Sequence, residues 1–399
     1  MTEVEQGGAI PVAGSEELRE LLARIAVDAE AREREERRPF EAVDEVRRAR
    51  LGALRVPVAE GGGGRSLREL FEVLISLAEA DANVAHLLRG HFAFVESRLL
   101  SGDREASARW LPKVAAGAIF ASAIGEVGPR GINGEAPQTM LLPEGEDYVL
   151  RGEKHYSTGC LFADLVSVRA TMPGGEVVNA VVPADRDGVV LVDDWDGFGQ
   201  RLTGSGTTRL EGVAVGAEEI LALPGTGDGP RYLSSFLGLY LTTVIAGILR
   251  SVANDAGALV RGRTRNFDEA AGVAPADDPL LQERIGEIAG AAFAAEAMVV
   301  LAAEALDAAA VADPDDEDAP DRFHEAALRA AKAKLVVDEL AIRAAGRLFD
   351  VGGASATSRS KNLDRHWRNI RTIASHRATV YKSRAVGNHL VNGIQLPHF

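Results

Sequence analysis

The middle third of this 399-residue chain is written in a different alphabet from its flanks, and that contrast governs what it can fold into. From "IFASAIGE" to "ILALPG" run short β-branched stretches: "YVLRGEKHYSTG", "DLVSVRATM", "EVVNAVVPA", "GVVLVDDW" and "TTRLEGVAV". Gly, Pro and Asp punctuate them, which is the pattern of strands and hairpins. On either side apolar residues recur at helical spacing: over 15–55, from Ser66 to about Lys113, and near 231–262, 278–311, 322–349 and 376–391. The chain therefore reads as α+β and mostly α: a helical N-terminal domain (1–117), a middle β domain (118–227) and a C-terminal helical bundle (228–399). No repeat of constant period interrupts this plan.

Charge and cysteine usage remove several function classes. The formal net charge is −15, which argues against nucleic acid or an anionic membrane as a general partner. Cys160 is the only cysteine, so neither an internal disulfide nor a cysteine-built metal site is expected. The acidic run "VADPDDEDAPD" (311–321) reads as a solvated connector, because nothing in it fixes a ligand geometry. The N-terminal residues show no basic region followed by an apolar one, and "FLGLYLTTVIAGIL" reads as a buried helix rather than a span. The expectation is a cytoplasmic protein without a metal. The run "VPVAEGGGGRS" has Ala59 and Arg65 where a phosphate loop needs Gly and Lys, and is read as a turn.

Several segments carry residues suited to a site. In "GEKHYSTGCLFAD" (152–164), Ser157, Thr158 and the Gly159 backbone either serve the turn itself or hydrogen-bond a planar heterocycle. "FASAIGEVGPRG" (120–131) holds Ser122 and Glu126 among small residues that permit close backbone approach. In "DDWDGFGQRLTGSGTTRLEGVAV" (193–215), Trp195 could cover a ring, with Arg201, Thr203 and Ser205 facing a pocket or anion. His91 lies on an apolar helix, either as a satisfied core residue or as a site group. Arg265, in "RTRNF", either complements a helix dipole or meets a phosphate.

Against the acidic total, the segment from Lys361 to Arg384 holds seven Lys/Arg and one acidic residue, Asp364. If it is helical, Arg365, Arg368 and Arg371 share roughly one face. That face needs anions: a cofactor phosphate, or carboxylates across an interface. His376 follows, where an unperturbed imidazole would exchange protons near neutral pH.

The order of these segments, "ASAIGE", "GEKHYSTGCLFAD", "GFGQRLTGSGTTRLEGVAV", then a bundle with "FDVGGASA", resembles the acyl-CoA dehydrogenase superfamily across nearly the whole chain. Within it, "LDRHWRNIRT" followed by His376 is similar to the flavin-dependent monooxygenase branch typified by dibenzothiophene monooxygenase. The resemblance implies N-terminal helices, a β-barrel-like middle domain and a C-terminal four-helix bundle, assembled as a homotetramer. In the dehydrogenase Tyr-Glu-Gly-Thr frame, His376 takes the tyrosine position and Arg377 the glutamate position. A guanidinium cannot serve as the carboxylate base.

The branch implies a two-component enzyme. Reduced FMN from a separate reductase reacts with O2 to give a C4a-(hydro)peroxyflavin, which oxygenates a small S-, N- or aromatic substrate. The implied roles are His376 as catalytic acid with His91 assisting, and Ser157 at the reacting ring. Ser122, Ser157, Thr158 and Trp195 would line the flavin, and Arg265, Arg368 and Arg371 would answer its negative charge. Two other readings stand beside this one: an FAD-dependent acyl-CoA dehydrogenase, and a helical scaffold that binds no flavin.

Overall fold

A computed structural model describes residues 9–101, 103–128, 136–223, 228–312 and 317–397. Part of the acidic connector (313–316) and of the "GPRG" segment (129–131) lies outside these residues. The N-terminal region is helical throughout: α1 (Glu16–Ala26), α2 (Ala29–Glu35), α3 (Phe40–Arg48), α4 (Leu67–Ala80), α5 (Ala82–Leu87), α6 (Arg89–Leu99) and α7 (Arg104–Ala115). Local chemistry sets the starts. Ser66 and Glu69 form a capping box on α4, and Asp81 accepts from the amides of Asn83 and Val84 at the start of α5. The four-glycine run is a turn: the amides of Gly63 and Gly64 bond to the carbonyls of Ala53 and Val56, so they point at their own chain and cradle no phosphate.

The strands are β1 (Phe120–Ala123), β2 (Met140–Glu144), β3 (Asp147–Lys154), β4 (Leu165–Thr171), β5 (Val177–Pro183), β6 (Val189–Val192), β7 (Thr207–Val215) and β8 (Ile220–Ala222). They form one mixed sheet in the order β6-β7-β3-β2-β4-β5-β8, with β1 parallel to β4. Two registers fix where the long loops emerge. Lys154 at the end of β3 pairs with Thr208 at the start of β7, and Val192 at the end of β6 pairs with Thr207. The loops 155–163 and 193–206 therefore leave the sheet at the same end, side by side.

Five helices complete the chain: α8 (Asp228–Arg261), α9 (Pro279–Ala310), α10 (Ala319–Gly352), α11 (Asp364–Ala374) and α12 (Thr379–Asn392). "FLGLYLTTVIAGIL" lies in α8, where Phe236, Leu239, Val244 and Leu249 are fully buried. A side chain at Gly247 would collide with the Ile75 carbonyl, so this glycine lets α8 cross α4 at close range. One hydrophobic core runs from Leu18 in α1 through α4 and α8–α10 to Ala374 at the end of α11. The changes of pattern near 117 and 228 thus mark changes of secondary structure, while the helices on both sides share a single core. The inner face of the sheet packs its own cluster, including Leu141, Val166, Val168 and Val213.

Candidate active site

The two loops at the end of the sheet meet the N-terminal helices at one place. Tyr156 sits at φ 57, an unusual conformation for a bulky aromatic, and Gly159 at φ 85. The turn between them is clamped on both sides. The Ser157 amide donates to Gly206 O (3.0 Å) and the Gly159 amide to Thr203 O (2.9 Å). A Cβ on Gly159 would strike the carbonyl of Leu87, so the turn rests on the end of α5. This is one position where only glycine fits.

Hydroxyls line this turn as a chain of fixed polarity. Thr203 Oγ1 donates to Gln200 O (2.9 Å) and so accepts from Ser205 Oγ (2.7 Å), which in turn accepts from Thr158 Oγ1 (2.8 Å). The Thr158 proton is committed, and its oxygen faces outward as an acceptor. Ser157 Oγ is buried and, apart from a weak approach to the Cys160 thiol, lacks a hydrogen-bond partner. Gln200 Nε2 and Thr372 Oγ1 are also buried without one. Such orphaned groups cost about 1–3 kcal/mol each unless a ligand satisfies them. Trp195 donates its indole N–H to Gln200 O (3.1 Å) and meets Tyr156 edge-on (6.1 Å), and both rings line a cleft of about 380 Å³ with His155, Ser205 and Thr207. Ser122 Oγ backs onto Gly90 at the start of α6.

Two imidazoles lie within electrostatic reach of one another, and one of them touches the 193–206 loop. His86 Nδ1 donates to Gln200 Oε1 (2.8 Å), leaving Nε2 as an acceptor; burial, then Arg89, pushes its pKa down to about 4. His376 follows the last turn of α11. Desolvation, then the cations Arg89, Arg377 and Lys334, act to lower its pKa below the ordinary value, while the ring itself stands exposed at the surface of the single chain. The charged groups that act on it are all cationic. His86 is neutral at physiological pH.

His91 is no part of this site. Its Nδ1 accepts the Phe120 amide (3.1 Å) and its Nε2 donates to Gly52 O (2.9 Å), at 0% exposure. Both nitrogens are spent on backbone groups, so the expected catalytic assistance is replaced by a structural bridge between α6, β1 and the 51–53 turn. Arg368 is engaged by this same chain. It pairs with Asp364 one turn earlier in α11 (2.9 Å) and ties the helix to Phe198 O (3.1 Å) and Asn362 (2.9 Å), with Glu33 at 3.6 Å. Arg365 and His366 share Asp255 (2.7 and 2.8 Å). The basic face thus meets carboxylates of this same chain. Arg371 is exposed, and Arg265 stands out from its loop with only Asp268 at 3.4 Å. Glu126 caps the strand region: burial opposes its ionisation, but Lys154 (2.6 Å) and the amides of Gln138 and Thr139 bring its pKa down to about 2.

His86, Arg89, Lys334 and Lys382 carry no motif that singles them out in the sequence, although His86 and Arg89, three apart at a helix junction, form a legible pair. Among the described residues no cluster of metal-ligating side chains occurs.

Known proteins resemble this chain over most of its length. The acyl-CoA dehydrogenase N-terminal domain family matches residues 14–118 and the C-terminal domain family residues 239–381. A dibenzothiophene monooxygenase of Mycolicibacterium goodii is 29% identical over 88% of this chain and 86% of its own. A probable FMNH2-dependent monooxygenase, SfnC, of Pseudomonas putida is 28% identical over 94% and 93%. The FMN-bound crystal structure of TdsC from a Paenibacillus species superposes with a TM-score of 0.87 at 29% identity, covering 95% of this chain and 97% of that one.

Proposed function

This chain belongs to the acyl-CoA dehydrogenase superfamily, and from that premise we propose that it is an FMNH2-dependent monooxygenase acting on a small organic substrate. The observation that carries the reading is the clamped, hydroxyl-lined turn with its orphaned Ser157 Oγ and Gln200 Nε2, together with Arg377 at the position that the dehydrogenase resemblance gives to a carboxylate.

The residues fit a flavin. Its ring edge alternates N–H and C=O groups, which would satisfy the orphaned Ser157 Oγ and Gln200 Nε2 and donate to the committed Thr158 oxygen. Trp195, Tyr156 and Ser122 would line the ring. When bound, reduced flavin supplies the two electrons with which O2 is divided between substrate and water. The chain's own contribution is to hold the ring, exclude water and place His376 and His86 as hydrogen-bonding groups beside the reacting oxygen. A separate reductase would supply the reduced FMN.

Assembly is part of the proposal. Helix α9 has a mean hydropathy of 1.7 over its most apolar window, yet only 28% of that window is buried, and Phe293 (75%) and Leu301 (54%) stand exposed. The other long apolar helix, α8, has 78% of its window buried. A second copy, as in a homotetramer, would cover the α9 stripe, and Arg265 from a neighbouring copy would meet the flavin phosphate. We place the assembly in the cytoplasm.

The test is a coupled assay with reduced FMN, O2 and a flavin reductase, run beside an anaerobic titration with acyl-CoA. Retained oxidised FAD that an acyl-CoA bleaches would favour the dehydrogenase reading instead.

A further inference from the structure

Glu33, near the end of α2, is a carboxylate inside the protein, 3% exposed. A charge is costly there, and the Arg368 guanidinium stays 3.6 Å from it. Its close partners are two amides. Asn83 Nδ2 of α5 donates to Glu33 Oε2 (2.6 Å), and Asn369 Nδ2 of α11 approaches Oε1 (3.5 Å). Each amide turns its other end to the 193–206 loop. Asn369 Oδ1 accepts the backbone N–H of Gln200 (2.6 Å), and Asn83 Oδ1 accepts that of Leu202 (3.2 Å).

The polarity of this arrangement is fixed from the loop. A backbone N–H only donates, so each asparagine must present its oxygen to the loop and its NH2 group to residue 33. Residue 33 therefore meets two donors with two acceptors, which a carboxylate supplies and a carboxamide does not. Burial, then Asp81, raises the Glu33 pKa, and Asn83, Arg368 and Asn369 act against that rise.

Gln200 is where these contacts reach the site. Its backbone stands at φ 52, a left-handed conformation that a residue other than glycine keeps only when its surroundings enforce it. A Cβ on Gly199 would strike the Arg368 carbonyl, so α11 presses directly on the loop beside Gln200. The Gln200 carbonyl accepts from Thr203 Oγ1 (2.9 Å) and from the Trp195 indole (3.1 Å), and its side-chain oxygen takes His86 Nδ1 (2.8 Å).

We propose that Glu33 is a positioning residue: through Asn83 and Asn369 it sets the loop at Gln200 and Leu202, and Gln200 in turn holds His86 with Nδ1 protonated and Nε2 free to accept. The first link is a property of the chain without ligand. The second rests on the monooxygenase reading, which puts His86 beside the reacting oxygen.

Hydrogen exchange of the full-length apoprotein, followed by mass spectrometry on peptides covering 198–206, tests the first link. In Glu33→Gln a carboxamide NH2 meets an asparagine donor. Exchange at Gln200 and Leu202 should then rise about tenfold, the scale of one hydrogen bond to a charged group. Asn369→Asp alone sets two carboxylates against each other and should do the same. The double variant Glu33→Gln/Asn369→Asp matches donor to acceptor at every contact again, with the charge moved to 369, and should restore wild-type exchange. Unchanged exchange in Glu33→Gln overturns the inference. Faster exchange spread evenly over the chain, which the double variant fails to reverse, is loss of stability alone and also overturns it. Rapid mixing of the reduced-FMN complex with O2 tests the second link. Glu33→Gln should alter flavin reoxidation in the same direction as His86→Ala and add nothing in the His86→Ala background. An independent, additive effect would separate Glu33 from His86 and overturn that link. Failure of the wild type to bind FMN removes the monooxygenase reading itself and leaves the exchange result standing.

Discussion

At the scale of single residues, the imidazoles divide into structural and chemical ones by what their nitrogens touch. His91→Ala would leave the Phe120 amide and the Gly52 carbonyl unpaired in a dry core, a loss of about 2–4 kcal/mol of stability. Thermal denaturation should show that loss while the turnover of folded enzyme stays near wild type. His376→Ala is expected to do the opposite. Flavin affinity stays within a few-fold, and product formation falls about a hundredfold or more, the scale of a lost acid–base or hydrogen-bonding group. Ser157→Ala removes a hydroxyl that the apoprotein leaves unsatisfied. Apo stability should therefore hold or rise slightly, and FMN affinity should fall by about tenfold, as equilibrium titration would show. The pH dependence has a definite sign. His86 and His91 lie near 4 in the folded protein against an ordinary 6.5, so below pH 6.5 the unfolded chain binds the additional protons. Their contribution is complete above that pH and is lost as pH falls from 6.5 toward 4, which a series of denaturant melts across that window would register.

At the scale of elements, the site exists because loops 155–163 and 193–206 leave one end of the sheet and α5 receives them. Gly159→Ala puts a Cβ into the Leu87 carbonyl at a backbone angle of φ 85. It should detach the turn from α5 and abolish flavin binding, with far-UV circular dichroism nearly unchanged. Much of this is legible in the sequence. The 156–160 turn, Trp195 and His376 announce themselves through residue type and chain order, and the change from helical to alternating patterns marks where the sheet starts and stops. The partners are not legible. His86 meets Gln200 across 114 residues, and Arg365 meets Asp255 across 110. Pairings of that span depend on helix register and crossing, which one sequence does not encode locally. His91 misleads for a related reason: its partners are backbone atoms, which no side-chain pattern reveals.

At the scale of the whole molecule, an acidic protein uses its cationic stretch to hold its own chain together. Arg365 binds α11 to Asp255 of α8, and Arg368 ties it to Asn362 and the Phe198 carbonyl. The exposed apolar stripe of α9 is where the proposed assembly would join, so Phe293→Asp should dissociate that assembly in sedimentation velocity and weaken FMN binding wherever a neighbour completes the phosphate site. The central claim is that the hydroxyl-lined site activates O2 on reduced FMN rather than drawing a proton from a thioester. Rapid mixing of the anaerobic protein–reduced FMN complex with O2 tests it most directly. Reoxidation in at least two resolved phases, slower than that of free reduced FMN and altered in His376→Ala, is the predicted result. Reoxidation indistinguishable from free reduced FMN would contradict the account.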